Sequence, residues 1–590
     1  MRRHDCDRSA ADRGEAEVAS EPDSWNPATA WRTTHGDADA HHYRTRGWWR
    51  DRSHLDDFLA VSELYPEKDA IVAYEADRRD PSRLTYGELR RLVDRCAVAL
   101  IATGIEAGDF VSIQLPNGWQ FPVAALAVMR AGAIPNPIPP IYREKEVEFM
   151  VRHARSRMLI TPTDFAGFEH VRMAKAIKDR VPTLDHIFAV GSRGAKGVFE
   201  EKILDVAWES DIAALAELDR RRPAADSAAV LLFTSGTTGH PKAAIHSFNT
   251  IWSAGRPIPD ALDLSHNDVA FMASTMGHLT GFYWGMLMPL SMGQTVVYQD
   301  AWRPAAMLEA IASEGITWTL SATPFALDLV AAHRAAEGAV DVSSLRAFVC
   351  GGAPIPPHVA TQVHAALGGE LISLWGCTEV GICSIHRRGT PVETLARSDG
   401  YRVDQMAVRI ADDDDKVVTR GEEGRLQVKG PGIFAGYLRQ PDLTEALKTP
   451  DGWFDTGDLG REAEDGAIRI CGRSKDIIIR GGQNVPVVEI ENELALMPQI
   501  AEVVVVGVPD ERLGERGCAV VVPSDRSRPP ALADITAWLD KAGTAKQFWP
   551  ERIEIVETMP RTPAGKIKKF ELRDRFARRD ANDAALQGGL

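Results

Sequence analysis

The chain has 590 residues, too many for one hydrophobic core, and its 44% hydrophobic and 26% charged residues are typical of a soluble globular protein. A formal net charge of −15 and a pI near 5.6 argue against nucleic acid as the main partner. The seven cysteines are scattered and form no C-x-x-C pair, so we expect no zinc site or disulfide framework, and we expect a location in the reducing cytoplasm.

Residues 1–40 are rich in Asp, Arg, Ala and Ser and show little apolar periodicity, so we predict a flexible N-terminal tail. The first residues contain no apolar segment and therefore predict no secretory signal. The most apolar stretch, residues 121–138, is interrupted by Arg130 and several prolines, so we expect no membrane span. A flexible tail would not hold the geometry of a metal site, so we expect no metal at its histidines and aspartates: His35, Asp37, Asp39, His41 and His42.

From Trp48 onward, strand and helix signals alternate along the chain. Thr85 and Glu88 have the spacing of a capping box, and the apolar stripe that follows predicts an amphipathic helix. Short apolar runs such as residues 110–115 and 295–298 predict strands. This alternation is typical of an α/β architecture with largely parallel sheets.

Around residue 400 the pattern changes to short alternating strands joined by turns rich in Asp and Gly. We therefore predict a β-rich subdomain there. The four aspartates at residues 412–415 lack the spacing of a calcium loop, so we interpret them as the tip of a hairpin. After about Arg473 the signals indicate a small mixed domain, with a strand at 503–506 and a helix near 532–539.

The stretch after the apolar run 228–233 combines hydroxylated residues, glycines, a proline and a lysine. Glycines let the backbone approach a bulky anion, consecutive amides form an anion-binding concavity, and a lysine adds a point charge. We therefore predict a phosphate-binding loop. It is not a Walker A loop, because Pro241 precedes the lysine and Ala243 follows it. The loop residues are Thr234, Ser235, Gly236, Thr237, Thr238, Gly239 and Lys242.

With S-G-T-T-G-x-P-K after an apolar strand, this loop resembles the nucleotide loop of the adenylate-forming, or AMP-binding, superfamily. Further motifs of that superfamily follow in the expected order over roughly residues 45 to 580. They are G-G-A-P at 351–354, W-G-C-T-E at 375–379, D-T-G-D at 455–458, G-R-S-K-D at 472–476 and P-x-T-x-x-G-K at 560–566. Ala243 departs from the glycine that is usual in the family.

The resemblance implies an ATP site built from these motifs. The residues that would contact the adenine and ribose are Gly352, Ala353, Pro354, Trp375, Asp458 and Arg473. Thr378 would hold the α-phosphate, Glu379 would bind Mg²⁺, and Lys566 would bridge the acid and the α-phosphate. These three residues are the predicted catalytic residues.

The resemblance also implies a large N-terminal domain of stacked βαβ subdomains plus a β-rich subdomain, at residues 41–473. A small mobile α+β lid domain would follow at 474–580, before a tail at 581–590. Lys475 would be the hinge, and Gly481 and Gly482 would line the tunnel for coenzyme A. In the family, one face of the small domain serves adenylation and another serves thioester formation.

The acid pocket is implied by position relative to these motifs, at His246, Phe248, His278, Phe282 and Gly376. Aromatic walls and glycine favour a flat or cyclic acid. His278 is followed by leucine, so the His-Asn pair of dihydroxybenzoate-activating relatives is missing. The Trp48-Trp49 pair and the segment 132–137 most resemble cyclohexanecarboxylate-, salicylate- and naphthoate-type CoA ligases, some of which serve antibiotic biosynthesis.

The resemblance therefore implies a carboxylate–CoA ligase that uses ATP, Mg²⁺ and coenzyme A on an aromatic or alicyclic acid. A medium-chain fatty acyl-CoA ligase and an enzyme that loads a carrier-protein thiol are alternatives. A regulator that has lost catalysis is disfavoured, because Glu379, Asp458 and Lys566 are all present. We expect small-molecule partners and a downstream acyltransferase, without nucleic acid or membrane.

Overall fold

The computed structural model describes residues 26–576 apart from several short gaps. The gaps are residues 77, 79, 192–195, 235–240, 353–354, 356, 474–477, 481–482, 486, 511–513, 545 and 563–564.

The first part of the chain alternates helices with short strands. Its helices are α1 (Asp37–Thr45), α2 (His54–Leu64), α3 (Tyr86–Ala102), α4 (Gln120–Arg130), α5 (Glu144–Ala154), α6 (His170–Lys178) and α7 (Ile212–Arg220). Its strands are β1 (Asp69–Tyr74), β2 (Ser82–Thr85), β3 (Phe110–Ile113), β4 (Ile134–Pro137), β5 (Met158–Pro162) and β6 (His186–Val190). The strands β4-β3-β5-β6 form a parallel sheet in that order.

Helix α3 shows how the local sequence sets an element. The Thr85 hydroxyl accepts a hydrogen bond from the Glu88 amide at 3.2 Å, and Glu88 Oε2 accepts one from the Thr85 amide at 2.9 Å. This reciprocal pair satisfies two amides that have no partner within the helix. Leu89, Val93 and Cys96 are buried along one face. The predicted capping box and apolar stripe are therefore confirmed.

The next part of the chain carries most of the large sheet. Its helices are α8 (Phe248–Gly255), α9 (Pro257–Leu262), α10 (Met288–Ser291), α11 (Pro304–Glu314), α12 (Thr323–Ala335), α13 (Pro357–Leu367) and α14 (Val392–Arg397). Its strands are β7 (Ala228–Thr234), β8 (Lys242–Ser247), β9 (Val269–Met272), β10 (Thr295–Gln299), β11 (Trp318–Ser321), β12 (Ala347–Cys350), β13 (Glu370–Cys377) and β14 (Gly381–Ile385).

The β-rich part follows. It contains β15 (Tyr401–Arg402), β16 (Ala407–Ala411), β17 (Gly424–Lys429), β18 (Gly436–Tyr437), α15 (Pro441–Glu445), β19 (Phe454–Glu462) and β20 (Ile468–Arg473). Strands β16-β17-β19-β20 form an antiparallel sheet, as predicted for this region. The four aspartates lie in the β16–β17 connection, which agrees with the hairpin interpretation.

The largest sheet has nine strands in the order β15-β14-β13-β12-β11-β9-β10-β1-β2. Its strands are parallel from β13 to β1, and antiparallel pairings add β14, β15 and β2 at the two ends. A fourth sheet, β18-β8-β7, is antiparallel. The predicted α/β class with a largely parallel sheet is confirmed.

The small domain contains β21 (Ile478–Arg480), β22 (Gln483–Val485), α16 (Val487–Leu494), β23 (Ile500–Asp510), β24 (Gly514–Pro523), α17 (Leu532–Lys541) and β25 (Arg552–Ile555). Its sheet has two hydrophobic clusters of its own, drawn only from residues beyond 477. The predicted boundary between 473 and 474, and with it the hinge at Lys475, falls at residues 474–477, outside the described residues.

The prediction of a flexible tail is wrong for residues 26–40. A 3-10 helix at Ala30–Thr33 and the start of α1 lie there, and Trp31 and His35 are buried. The tail composition is polar, but Ala30 and Trp31 join a hydrophobic cluster that is formed with distant parts of the chain. Among the described residues, no helix is long and apolar enough to cross a membrane.

Candidate active site

The two ends of the predicted phosphate loop lie side by side. Strands β7 and β8 pair antiparallel, with Thr234 opposite Lys242 and Phe233 opposite Ala243. The strand before the loop is buried, as the apolar run predicts. The Lys242 amine lies 5.1 Å from the centre of the Tyr437 ring. The loop residues between the strands, Ser235, Gly236, Thr237, Thr238 and Gly239, lie outside the described residues.

Thr378 and Glu379 lie in the turn between β13 and β14, where three separate groups hold them. The Thr378 carbonyl accepts a hydrogen bond from His246 Nε2 at 2.6 Å. The Glu379 carbonyl accepts one from the Phe434 amide at 2.7 Å. The Tyr437 hydroxyl donates to Glu379 Oε1 at 2.8 Å. Both the backbone and the carboxylate of this segment are therefore fixed in place.

Tyr437 is a site residue that the sequence analysis missed. It lies in β18, which pairs with β8, and its ring is nearly fully buried. Burial and the neighbouring Glu379 carboxylate raise the pKa of Tyr437, so its hydroxyl stays protonated and can donate. The available signal was an aromatic residue after glycine in a short strand, but its partner lies 58 residues away in the sequence.

His246 lies behind Thr378 and has no exposed surface. Its Nε2 donates to the Thr378 carbonyl, so Nδ1 is free to accept from the Thr250 hydroxyl at 3.0 Å. Burial lowers the pKa of His246 to about 4. The imidazole is therefore neutral and holds Thr378, while its place in the acid pocket stays a prediction.

Asp458 and Arg473 are brought together by the pairing of β19 with β20, which places them opposite each other. Arg473 Nε lies 2.9 Å from Asp458 Oδ1, and Trp375 Nε1 donates to Asp458 Oδ2 at 3.0 Å. Burial raises the pKa of Asp458, against the opposing charges of Arg473 and Lys566. Trp375, predicted to stack near adenine, here orients the carboxylate that we predicted to bind ribose.

Lys566 of the small domain reaches the large domain at Gly352. A methyl group added to Gly352, whose φ is +79°, would stand 3.3 Å from Lys566 Cε. The Lys566 side chain is exposed. The surrounding protein lowers the pKa of Lys566, Arg473 lowers it further, and Cys377, Asp458 and Glu379 oppose the shift. The structure therefore brings together, from both domains, residues that the sequence predicts to be catalytic and to bind ribose.

The loop that carries Lys566 is held by its own domain. The Thr562 amide donates to the Lys566 carbonyl at 2.7 Å, and the Lys566 amide donates to the Thr562 hydroxyl at 3.1 Å. Arg561 Nη1 donates to the Gly565 carbonyl at 2.6 Å, while its Nη2 pairs with Glu502 of β23. The backbone on both sides of the lysine is thus fixed before any substrate binds.

The predicted acid-pocket residues fall into two groups. Phe248 and Phe282 are buried in the main hydrophobic cluster, and a methyl group on Gly376 would meet the Gly381 carbonyl at 2.1 Å. His278 is half-buried, and its Nε2 has no hydrogen-bond partner among the described residues. Burial and then Lys566 lower the pKa of His278 to about 4. Two of the five therefore have a pKa that a charged site residue affects: His278 through Lys566, and His246 through Glu379.

Five predicted residues of this region cannot be placed. Ala353 and Pro354 of the adenine turn, Lys475 of the hinge, and Gly481 and Gly482 of the coenzyme A tunnel lie outside the described residues. Gly352 has a positive φ, which favours glycine at that position of the turn.

A family model described as AMP-binding enzyme matches residues 58–438, and the model of its C-terminal domain matches residues 489–566. The chain belongs to the AMP-binding enzyme family. The predicted resemblance is confirmed, and the site described above lies where the two matched regions meet.

Three curated relatives in this family match over most of their length. A medium-chain fatty-acid–CoA ligase of Escherichia coli is 34% identical over 541 residues, covering 92% of this chain and 93% of that protein. A 2-hydroxy-7-methoxy-5-methyl-1-naphthoate–CoA ligase of Streptomyces carzinostaticus is 32% identical, covering 93% and 97%. A salicyl-AMP ligase/salicyl-S-ArCP synthetase of Mycobacterium tuberculosis is 34% identical, covering 89% and 91%.

Among AMP-binding enzymes of known structure, ATP-bound MatB from Rhodopseudomonas palustris superposes with a TM-score of 0.78 at 27% identity. The match covers 89% of this chain and 99% of that one. The predicted arrangement of a large N-terminal and a small C-terminal domain is therefore the family's arrangement.

Proposed function

We propose that this chain is an ATP-dependent carboxylate–CoA ligase. It would join an acid to AMP with release of pyrophosphate, and then pass the acyl group to the thiol of coenzyme A. The observation that carries the proposal is the position of Lys566: a lysine from the small domain enters the cleft of the large domain beside Gly352, near Asp458 and Glu379. A nucleotide-binding regulator would have no need for that arrangement.

The first half-reaction must bring two anions together, because the acid carboxylate attacks the α-phosphorus of ATP. In our proposal, Asp458 and Arg473 bind the ribose, Thr378 holds the α-phosphate, and Lys566 bridges that phosphate and the acid. Two unit charges about 4 Å apart interact by about 4 kcal/mol at an effective dielectric of about 20. An interaction of that size made only in the transition state accelerates the reaction roughly a thousandfold.

Glu379 fits the proposed role of binding Mg²⁺. Mg²⁺ commonly binds one or two carboxylates plus substrate phosphates and water, rather than a complete cage of protein ligands. Among the described residues, no cluster of three or more His, Cys, Asp or Glu side chains could hold a metal. Glu379 offers one carboxylate that Tyr437 orients. When bound, the ion would offset the charge of the phosphates.

The second half-reaction needs a thiol at the acyl carbon. We propose that the small domain rotates about Lys475 and that Gly481 and Gly482 then line the path of coenzyme A. The thioester product is an activated acyl group, which an acyltransferase would consume. The described cysteines are free thiols, and this supports our proposal of a cytoplasmic location.

For the acid we propose an aromatic or alicyclic compound, as in antibiotic biosynthesis. His278 beside the cleft and the aromatic residues behind it support this class, and so does the similarity to a naphthoate–CoA ligase. A medium-chain fatty acid is the second candidate, because the fatty-acid–CoA ligase of Escherichia coli is 34% identical, against 32% for the naphthoate–CoA ligase. The similarity to a salicyl-S-ArCP synthetase supports a carrier-protein thiol as an alternative acyl acceptor.

One assay separates these candidates. The enzyme is given ATP, Mg²⁺ and a panel of salicylate, naphthoate, cyclohexanecarboxylate, octanoate and decanoate, with either coenzyme A or an aryl carrier protein. We expect AMP, pyrophosphate and a CoA thioester, with a higher kcat/KM for the cyclic acids. A preference for decanoate would favour the fatty-acid ligase, transfer only to the carrier would favour the third alternative, and formation of ADP would contradict the reaction class.

A further inference from the structure

The N-terminal strap, which we define as residues 26–50, lies outside the residues matched by the AMP-binding family model. It is held together by aromatic side chains that meet mostly edge to face. The ring centre of Trp49 lies 5.6 Å from that of Trp31, 5.2 Å from that of His35 and 5.3 Å from that of Tyr43. All four residues are at most 6% exposed. The strap is therefore a small packed unit.

Two hydrogen bonds join this unit to the brace segment, which we define as residues 431–437. His35 Nε2 lies 2.8 Å from the Ile433 carbonyl, and Trp49 Nε1 donates to the Pro431 carbonyl at 3.0 Å. A carbonyl only accepts, so His35 carries its proton on Nε2. Both bonds are buried, and a buried carbonyl that loses its donor is costly because water does not replace it.

The brace segment in turn contacts Glu379. The Phe434 amide, next to Ile433, donates to the Glu379 carbonyl at 2.7 Å, and the Tyr437 hydroxyl donates to the Glu379 carboxylate at 2.8 Å. At Gly432, an added methyl group would meet the Val380 carbonyl at 3.1 Å. The brace segment thus lies directly against the turn that carries the proposed catalytic residues.

We propose that the N-terminal strap is a positioning element for Glu379, acting through the brace segment, and that His35 and Trp49 are its positioning residues. This proposal rests on the proposed function of Glu379 in adenylation. A positioning role differs from general stabilisation of the fold. The two hydrogen bonds of the strap hold the brace segment, and the brace segment contacts Glu379 directly. The thioester half-reaction does not need Glu379 and should be independent of the strap.

The experiment uses the full chain and a matched pair of variants. Trp49→Phe keeps an aromatic ring and removes the N–H that binds Pro431. Trp31→Phe is the control, because Trp31 packs in the same cluster and contributes no hydrogen bond to the brace segment among the described contacts. His35→Gln, which can still donate, is compared with His35→Leu, which cannot.

We expect Trp49→Phe and His35→Leu to lower the rate of ATP–pyrophosphate exchange about tenfold, the scale of one buried hydrogen bond. Both variants should need a higher Mg²⁺ concentration for half-maximal exchange. Their rate of thioester synthesis from preformed acyl-adenylate should stay within twofold of the wild-type rate. Trp31→Phe should change Tm without slowing adenylation relative to thioester synthesis. His35→Gln should keep much of the exchange activity that His35→Leu loses. Equal losses in both half-reactions, tracking Tm, would overturn the proposal.

A second measurement does not depend on activity. Hydrogen–deuterium exchange at the Phe434 amide should be faster in Trp49→Phe than in Trp31→Phe, because that amide is held against Glu379. Unchanged exchange would overturn the strap proposal. A wild-type enzyme that exchanges no pyrophosphate with any acid would overturn the proposed function instead, while the comparison at Phe434 would still decide whether the strap positions the segment.

Discussion

Lys566 Cε, from the small domain, lies within 3.3 Å of the point where a Cβ atom on Gly352, in the large domain, would stand. Gly352 also has a φ of +79°, a conformation that side chains other than glycine rarely adopt. Contact and conformation together explain why this position is glycine: it leaves room for the lysine to enter the cleft.

Gly352→Ala should therefore lower adenylation about tenfold, since a left-handed alanine costs roughly 1–2 kcal/mol and the lysine must shift. Thioester synthesis from preformed acyl-adenylate should change less, because in our proposal this half-reaction does not use Lys566. Gly338→Ala is the control, with a φ of +71° at a surface position near His333. If both glycine variants slow both half-reactions alike, the contact with Lys566 does not matter for adenylation.

Tyr437→Phe removes the hydroxyl that orients the Glu379 carboxylate. A hydrogen bond to a charged group contributes about 1.5–3 kcal/mol, so we expect kcat/KM for adenylation to fall at least tenfold and the Mg²⁺ requirement to rise. Tyr86→Phe is the control, because its buried hydroxyl donates to the Gln294 carbonyl away from the site. An unchanged Mg²⁺ titration in Tyr437→Phe would show that Glu379 needs no such orientation.

Lys475→Pro tests the proposed hinge. Proline fixes φ near −65° and restricts the residue before it, so a rotation about this position would be blocked. The variant should keep one half-reaction and lose the other, as measured by pyrophosphate exchange and thioester synthesis on one preparation. A parallel fall in both rates, or no change in either, would place the hinge elsewhere.

The two half-reactions should respond to pH in opposite directions. The surrounding protein and Arg473 lower the pKa of Lys566 from 10.5. In our proposal, adenylation needs the charged form of this lysine. Adenylation should therefore decline with rising pH before an ordinary lysine would lose its proton. Thioester synthesis should increase over the same range, because the thiol becomes a thiolate. In Lys566→Arg, the alkaline decline of adenylation should disappear; a decline that persists would have another cause.

The sequence predicted best what depends on local patterns. The capping box at Thr85 and Glu88 and the buried strand before the phosphate loop follow from neighbouring residues, and the structure contains both. Asp458 and Arg473 were predicted from the local motifs to which they belong, and the pairing of β19 with β20 places them opposite each other.

The features that the sequence did not reveal depend on distant contacts. Within residues 26–40, His35 is buried against partners such as Ile433, 398 positions further along the chain, so the polar composition gave no signal for it. Tyr437 and His246 gain their roles only when β8, β18 and the turn after β13 meet. His246 was predicted beside the acid because of its place after the lysine loop, but the pairing of β8 buries it behind Thr378.

In the proposed function, Lys566 serves adenylation and not thioester formation. We predict that Lys566→Ala slows ATP–pyrophosphate exchange at least a hundredfold, with Tm unchanged, while preformed acyl-adenylate and coenzyme A still give thioester at close to the wild-type rate. Lys568→Ala, a nearby lysine paired with Glu571, should leave both half-reactions unchanged. An equal loss of both half-reactions in Lys566→Ala, or full adenylation without the lysine, would contradict the account.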